Sequence, residues 1–209
     1  VTVANSWDPA LAEELGRALG EEAVDQGVNV VLGLGLCIKR SPLCGRNFEY
    51  LSEDPLLAGK MAAGYVRGIQ SSGVSACPKH FAANSQETRR QASDSVLDER
   101  TLREIYLSAF ETVVREARPK TIMTSYNKVN GSYANENPHL LRDILRGEWG
   151  FEGAIVTDWG GSNDHVAGVA AGSTFEMPAP GLDSVRQLVK AVRAGELAEA
   201  DVDAPVDEA

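Results

Sequence analysis

The stretch Val28-Asn29-Val30-Val31-Leu32-Gly33 is the first of several short apolar runs that decide the fold. It is rich in β-branched residues and has a glycine at each side, which is typical of a strand buried on both faces in a parallel sheet. A helix is predicted just before it, because Asp8 can cap the amino end and Pro9 suits the first helical position. The apolar residues at helical spacing in that segment are Leu11, Leu15, Ala18 and Leu19.

The same alternation of helix and strand continues along the chain. Further strands are predicted at residues 74–78, 121–125, 153–157 and, more weakly, 175–177. Helices are predicted from Asp54-Pro55 to Gly73 and over residues 98–117, 138–145, 165–171 and 182–192. Residues 198–209 form an acidic, alanine-rich tail that is typical of a frayed helix. In the helix at 98–117 one apolar stripe is formed by Leu102, Ile105, Tyr106, Phe110 and Val113.

This alternation predicts a parallel α/β fold, because parallel strands need crossover helices. An open nucleotide-binding sheet would carry a third glycine after Gly33-Leu34-Gly35, but Leu36-Cys37-Ile38 follows. A TIM barrel has eight strands over roughly 250 residues, and this chain shows about five. If it is a barrel, it is an incomplete (β/α) barrel that lacks its opening units. No linker divides residues 1–209, so a single domain is expected.

The composition excludes several classes of partner. The chain has 209 residues with 43% hydrophobic and 24% charged, and a net charge of −10 argues against nucleic acid and acidic lipid surfaces. No apolar run approaches the roughly 20 residues that span a bilayer, so a soluble protein is expected. Cys37, Cys44 and Cys77 have no metal-ligand spacing, and free thiols in a reducing compartment are expected. We therefore expect a cytoplasmic protein, or a secreted one if an upstream signal peptide is missing, with no metal or organic cofactor.

Polar side chains follow each predicted strand, where the catalytic residues of barrels lie. We expect them to share one rim of the sheet, at the carboxyl ends of the strands. They are Lys39 and Arg40, Lys79 and His80, Tyr126 and Asn127, and Asp158 and Trp159.

Asp158 is the strongest candidate among these residues. It follows an apolar run that cannot solvate it, and an ionised carboxylate there can attack an anomeric carbon and form a glycosyl ester. Trp159 offers an aromatic face to a sugar ring. The alternative is a helix cap, or a carboxylate that merely pairs with Lys79.

The neighbouring candidates are hydrogen-bond donors. Lys79 and His80 are adjacent, so both can face one pocket only if the strand ends or bulges, and Pro78 supplies such a break. Both can then bind sugar hydroxyls, and Lys79 can help to keep Asp158 ionised. A purely structural histidine is the alternative for His80.

Arg40 and Arg90 can bind vicinal hydroxyls or pair with scaffold carboxylates. Tyr126 can donate its phenolic proton to Asp158, or pack at the rim. A second carboxylate is harder to find, because Glu53 precedes a helix start at Asp54-Pro55. The other two candidates, Glu49 and Glu87, lie in charged loops.

Five ordered segments resemble the signatures of glycoside hydrolase family 3 in its β-glucosidase form. They are residues 38–55 (IKRSPLCGRNFEYLSEDP), Lys79-His80-Phe81, residues 84–90 (NSQETRR), residues 124–131 (TSYNKVNG) and Val156-Thr157-Asp158-Trp159-Gly160. The resemblance implies a TIM-barrel-like domain and a retaining β-glucosidase with Asp158 as the nucleophile. It further implies that the terminal glucose is held by Arg40, Lys79, His80, Arg90 and Tyr126.

The resemblance also implies what lies outside the chain. In the family, an aspartate that binds glucose hydroxyls comes from an upstream segment, and the acid/base glutamate comes from a second, downstream domain. We therefore expect a barrel domain truncated at both ends and completed by a missing C-terminal domain of the same enzyme.

The residues after the Lys-His motif help to choose between branches of the family. The N-acetylglucosaminidase branch has an Asp-His pair in the loop that here reads Phe81 to Glu87, so a β-glucoside or oligosaccharide substrate fits better. Xylosidase or arabinosidase activity stays open. The chain departs from the usual family residues at Leu34, Cys37, Ser85 and Ser173-Thr174-Phe175.

Two other functions remain open at the level of sequence. One is a barrel aldolase in which Lys79 forms a Schiff base, after an apolar setting lowers its pKa. The other is a non-catalytic fragment that binds a sugar without turning it over.

Overall fold

The computed structural model describes residues 2–179 and 181–208. The α-helices are α1 (Pro9–Asp25), α2 (Pro55–Gln70), α3 (Glu99–Thr101), α4 (Ser108–Ala117), α5 (His165–Ala171), α6 (Leu182–Ala194) and α7 (Glu199–Glu208). Two π-helical segments span Leu102–Leu107 and His139–Glu148, and 3₁₀ turns span Val3–Ser6 and Ala134–Glu136. The strands are β1 (Val30–Val31), β2 (Ser75–Ala76), β3 (Asp94–Ser95), β4 (Thr121–Met123), β5 (Lys128–Val129), β6 (Ser132–Tyr133) and β7 (Ala154–Val156).

The main sheet is parallel and runs in the order β1-β2-β4-β7. β1 pairs with β2 and β4 pairs with β7, both in parallel register. The two pairs are joined because Met123 N donates to Pro78 O at 3.0 Å and Phe81 N donates to Met123 O at 2.7 Å. A single parallel bridge from Val156 to Phe175 adds a fifth position. The predicted parallel α/β fold with about five strand positions is confirmed, and the sheet of the described residues does not close into a barrel.

The core beneath the functional edge of the sheet is aromatic. Phe81 is fully buried and lies edge-on to Phe110 and Trp149, with ring centroids 5.2 and 5.9 Å away. Phe110 comes from α4 and Trp149 ends the second π-helical segment. Two helical elements therefore hold the chain just after the Lys79-His80 pair.

The prediction that the first strand is buried on both faces is wrong. Val28 and Leu32 are 40% and 38% exposed, and Val30 and Val31 are only half-buried. In the described residues β1 has a strand neighbour on one side only, so its other edge and part of its faces stay open. By contrast β2, β4 and β7 are buried as predicted.

The helix α1 packs through its small residues and not through the predicted leucines. Leu11 and Leu15 are 37% and 41% exposed, and of the predicted set only Leu19 packs on the core. The buried face, formed by Ala12, Gly16, Gly20 and Ala23, lies against α2. A Cβ added at Gly68 of α2 would come within 2.1 Å of the Glu13 carbonyl oxygen, so the two backbones touch directly.

The helix predicted at 98–117 is present as α3, a π-helical segment and α4 in succession. Asp98 caps its amino end by accepting from Thr101 N at 2.9 Å. Ile105, predicted within the buried stripe, is 39% exposed. The wider π turn changes the angular phase of the residues that follow, so one position of the stripe turns outward.

A second, small sheet forms from residues that the sequence did not identify as strands. β5 pairs in parallel with β3 and antiparallel with β6. This sheet fixes the loop that follows His80, because Ser95 Oγ donates to Ala83 O at 2.9 Å and Lys128 N donates to Ser93 O at 2.9 Å.

The three cysteines are free thiols, as predicted. Cys37 and Cys77 are buried, and burial raises the pKa of each to about 11. Cys44 is half-buried in the loop between β1 and α2. None of the helices in the described ranges is long and apolar enough to cross a membrane.

Candidate active site

Asp158 lies directly after β7, at the carboxyl edge of the sheet. It is 9% exposed, and its Oδ1 accepts a hydrogen bond from Trp159 N at 2.8 Å. Its Oδ2 lies 3.3 Å from Nε2 of His80 but outside hydrogen-bond geometry, and no other described atom is bonded to it. The site therefore has a carboxylate with one oxygen fixed and the other uncommitted.

The ends of β2, β4 and β7 bring His80, Tyr126 and Asp158 together. Regular pairing of β2 stops at Ala76, and beyond Pro78 the chain pairs only through single bridges at Lys79 and Phe81. The strand thus ends where Pro78 was expected to break it, since proline has no N–H to donate.

His80 is 1% exposed and is held by two hydrogen bonds. Its Nδ1 lies 3.1 Å from the Tyr50 hydroxyl, and its carbonyl oxygen accepts from Cys37 Sγ at 3.1 Å. Burial lowers the pKa of His80 well below its usual value, and the positive charges of Arg46, Lys79 and Arg90 lower it further. The imidazole is therefore neutral at physiological pH and can donate one proton.

Lys79 does not pair with Asp158. Its Nζ lies 3.6 Å from Oε2 of Glu49, whose Oε1 bonds Arg46 Nε at 2.5 Å. The three side chains are each 17–19% exposed and form a partly buried Arg46–Glu49–Lys79 cluster. This cluster carries a net positive charge beside His80.

Arg90 and Tyr126 stack on each other. The Arg90 guanidinium carbon lies 4.5 Å from the centre of the Tyr126 ring, and Arg90 Nη1 pairs with Glu87 at 2.9 Å. The Tyr126 hydroxyl donates to Trp159 O at 2.7 Å and lies close to Asp158, which the sequence offered as its acceptor beside plain rim packing. Burial raises the pKa of Tyr126, and the nearby Asp158 charge raises it further.

Among the described residues Arg40 makes no side-chain hydrogen bond or ion pair with this group. It is exposed and lines a separate recess of about 250 Å³ with Ser85 and Gln86. Arg46, which the sequence reasoning missed, lies at the site and acts by charge on His80 and Tyr126. Its signal was Glu49 three residues later, the spacing of an ion pair across one turn.

Trp159 organises the site through its backbone and leaves its side chain exposed. Its N–H holds Asp158 and its carbonyl oxygen holds Tyr126, while the indole is part of a residue 40% exposed. The Trp159 ring is thus free to contact a ligand at the rim.

Two of the three candidate second carboxylates are held in ion pairs. Glu49 contacts Arg46 and Lys79, and Glu87 contacts Arg90. Glu53 is exposed beside the start of α2. Within residues 2–179 and 181–208, no group of three His, Cys, Asp or Glu side chains is placed to hold a metal ion.

One further concavity lies at the opposite edge of the sheet. It has a volume of about 570 Å³ and is lined by Lys120 and Gly153, which precede β4 and β7. Catalytic groups of parallel α/β folds collect at the carboxyl ends of strands. The Asp158 edge is therefore the better candidate.

The geometry supports one kind of chemistry. A buried carboxylate with a free oxygen can attack an electrophilic carbon, and the donors around it can hold the hydroxyls of a polyol. The neutral His80 and the cations of Arg46, Lys79 and Arg90 supply these donors.

Comparison with known proteins gives relatives that match almost the whole chain in sequence. The chain is 52% identical over 197 residues to the thermostable beta-glucosidase B of Acetivibrio thermocellus, covering 94% of this chain and 26% of that protein. It is 49% identical over 201 residues to an exo-alpha-(1->6)-L-arabinopyranosidase of Bifidobacterium breve, covering 96% and 26%. The chain thus spans about a quarter of the length of these relatives.

The fold agrees equally well with solved structures. The beta-glucosidase 3B of Thermotoga neapolitana, solved in complex with alpha-D-glucose, superposes with a TM-score of 0.96 at 44% identity. The match covers 99% of this chain and 30% of that one. The sequence profile of the glycosyl hydrolase family 3 N terminal domain matches residues 1–208. The chain therefore belongs to glycosyl hydrolase family 3, in the part that forms the family's N-terminal domain.

Proposed function

We propose that this chain is the nucleophile-bearing part of a retaining β-glycosidase that removes terminal β-D-glucosyl residues. The observation that carries the proposal is Asp158, a buried carboxylate with one oxygen fixed by Trp159 N and the other facing His80. The names of the relatives, beta-glucosidases among them, support the choice of substrate class.

The reaction proceeds by double displacement. An Asp158 oxygen forms a bond to the anomeric carbon while the bond from that carbon to the leaving oxygen breaks, and an acid protonates the leaving group. Water then attacks the same carbon, gives its proton to the acid's conjugate base and releases Asp158 as a carboxylate.

The side chains around Asp158 hold the sugar during both steps. His80, Lys79, Arg46 and Arg90 are the N–H donors grouped around the site. Trp159 presents its ring at the rim. Donors placed this way orient the hydroxyls so that the anomeric carbon meets Asp158.

The acid/base is supplied from outside this chain. Of the three candidate glutamates, Glu49 and Glu87 are ion-paired with the cations of the site and Glu53 is exposed at the start of α2, which supports an acid from elsewhere. A retaining pair needs its two carboxyl groups roughly 5 to 5.5 Å apart.

Covalent labelling tests the proposal. An aryl glucoside with an acidic phenol needs little protonation of its leaving group, so Asp158 can be glycosylated even without the acid. A 2-fluoro glucoside with a good leaving group should label Asp158, and azide should accelerate turnover of the activated aryl substrate. Asp158→Asn should lose both signals, whereas Asp98→Asn, at a helix cap that asparagine serves equally well, should keep them.

The outcomes separate the rival functions. Label on another carboxylate, or unchanged turnover in Asp158→Asn, contradicts the proposal. Glucose binding by the folded protein without any labelling selects the non-catalytic fragment. Borohydride trapping at Lys79 would select the aldolase, but Lys79 lies against Glu49 and not in the apolar pocket that activates such an amine.

A further inference from the structure

Tyr50 is a fully buried tyrosine that contacts His80 at the ring nitrogen remote from Asp158. It lies within the loop between β1 and α2 and forms a parallel bridge with Gly35. Its hydroxyl lies 3.1 Å from Nδ1 of His80, and the two rings meet edge-on at 82° with centroids 6.2 Å apart. His80 therefore lies between Tyr50 on one nitrogen and Asp158 on the other.

The Tyr50 ring is wedged in place. A Cβ added at Gly35 would lie 2.7 Å from its Cδ1, so the backbone of Gly35 is in direct contact with the ring. Cys37 Sγ donates to the His80 carbonyl oxygen and fixes the backbone of the histidine. Both ends of the Tyr50–His80 hydrogen bond are thus rigidly held.

The direction of that hydrogen bond follows from the partners available. The Tyr50 hydroxyl lies 3.1 Å from Nδ1 of His80 and also near Cys37 Sγ, a weak acceptor whose own proton goes to the His80 carbonyl oxygen, so Nδ1 is the better acceptor for the hydroxyl proton. A buried hydroxyl that donates to Nδ1 requires that Nδ1 carries a lone pair, so the proton of the neutral ring is on Nε2. In the opposite tautomer, the lone pair of Nε2 would face the Asp158 oxygen at 3.3 Å and repel it.

We infer that Tyr50 is a positioning residue that holds His80 in the Nε2–H tautomer, with that proton on the ring nitrogen nearest Asp158. The tautomer itself follows from geometry alone, whereas its effect on turnover rests on the proposed glycosidase function. With the proton on Nε2, His80 presents a donor 3.3 Å from the free carboxylate oxygen and can donate to a sugar hydroxyl once substrate is bound.

The test compares Tyr50→Phe with Tyr65→Phe in the protein expressed from its complete reading frame. Phe keeps the Tyr50 ring and removes only the hydroxyl. Tyr65 is a matched control, because it is half-buried against the same core and its hydroxyl has no hydrogen bond within the described ranges. Protein labelled with ¹⁵N-histidine is studied by long-range ¹H–¹⁵N correlation above pH 7, where the two tautomers give distinct nitrogen shifts.

The wild type and Tyr65→Phe should show His80 as Nε2–H alone, and Tyr50→Phe should show a mixture of tautomers. In kinetics on an activated aryl glucoside, Tyr50→Phe should lower kcat about tenfold with little change in KM. A wild-type Nδ1–H tautomer overturns the inference even if the variant fails to fold. An unchanged tautomer in folded Tyr50→Phe overturns it as well.

The two proposals fail separately. If no carboxylate is labelled by the 2-fluoro glucoside, the glycosidase proposal falls, and the nitrogen shifts still decide the role of Tyr50. If Asp158 is labelled and Tyr50→Phe leaves the tautomer intact, only the inference about Tyr50 falls.

Discussion

At the scale of single residues, the site depends on His80 staying neutral among cations. It is buried, three positive side chains act on it, and both ring nitrogens face specific partners. A charged imidazole there would add to the repulsion of Arg46, Lys79 and Arg90. The fold therefore binds a proton at His80 less readily than the unfolded chain does.

This gives a dependence of stability on pH. Below about pH 6.5, the ordinary histidine value, the unfolded chain takes up a proton at residue 80 and the native chain does not. The stability that His80 contributes is therefore present above pH 6.5 and is lost as pH falls. Below pH 6.5 we expect the free energy of unfolding to fall by up to about 1.4 kcal/mol per pH unit, measured by urea titration.

His80→Gln should flatten this slope, whatever it does to the stability itself. His139→Gln, at an exposed ion-paired histidine, is the control and should keep it. Equal slopes in His80→Gln and the wild type would show that His80 titrates normally in the native state.

The two arginines of the loop after β1 should differ in their effect on activity. Arg46→Ala removes charge-assisted hydrogen bonds at the site, each about 1.5–3 kcal/mol, so kcat/KM on an aryl glucoside should fall about 10- to 100-fold. Arg40→Ala, in the separate recess, should stay within about threefold. The reverse order of effects would return the glucose-binding role to Arg40.

The search for polar residues directly after predicted strands found Asp158, His80 and Tyr126. Each of them follows a buried strand, and the strand fixes where the next residue points. It missed Arg46 and Tyr50, which belong to the long irregular loop between β1 and α2. The path of that loop depends on contacts with residues far along the chain, such as the bridge from Tyr50 to Gly35. No local pattern specifies such a path.

At the scale of elements, helix ends could be predicted more reliably than helix faces. Asp8, Asp54 and Asp98 cap the helices that the sequence assigned to them, since capping depends on residues three apart. The buried face of α1 was predicted wrongly because glycines in α1 and α2 let the two helix backbones touch. A search for large apolar residues overlooks glycine. Strand lengths were overestimated because only the paired residues form ladder hydrogen bonds.

The close contact between α1 and α2 predicts the effect of Gly68→Ala on stability. Alanine is favoured over glycine in a helix by about 1 kcal/mol, but its Cβ would lie 2.1 Å from the Glu13 carbonyl oxygen. Forcing α1 and α2 apart costs about 1–3 kcal/mol, so the variant should unfold at lower urea concentration. Gly45→Ala, whose Cβ would make only an ordinary 3.6 Å contact with Glu87, is the control and should change stability by less than about 1 kcal/mol. A stabilised Gly68→Ala would mean that the helices lie further apart.

At the scale of the whole molecule, the chain leaves apolar surface uncovered. Leu182, Val185 and Val189 lie on one face of α6 and are 68%, 53% and 44% exposed. The edge of β1 is open in the described residues. Surfaces of this kind favour association, and the net charge of −10 opposes it through repulsion.

We therefore expect the 209-residue chain to self-associate more strongly as salt screens its charge, as measured by sedimentation velocity at several concentrations. Replacing Val185 and Val189 together by Gln should reduce this association. Leu43→Gln, at a single loop leucine that is 92% exposed, should not. A chain that stays monomeric in high salt would show that this face does not drive association.

The burial of two of the three thiols makes the chain a reporter of its own folding. A thiol reacts with iodoacetamide as the thiolate, and a pKa of about 11 leaves Cys37 and Cys77 almost entirely protonated at pH 8. A brief pulse of the reagent should therefore mark native molecules at Cys44 only and unfolded molecules at all three positions. Mass spectrometry of the intact chain would count one adduct or three, and so measure the folded fraction in any preparation without a substrate.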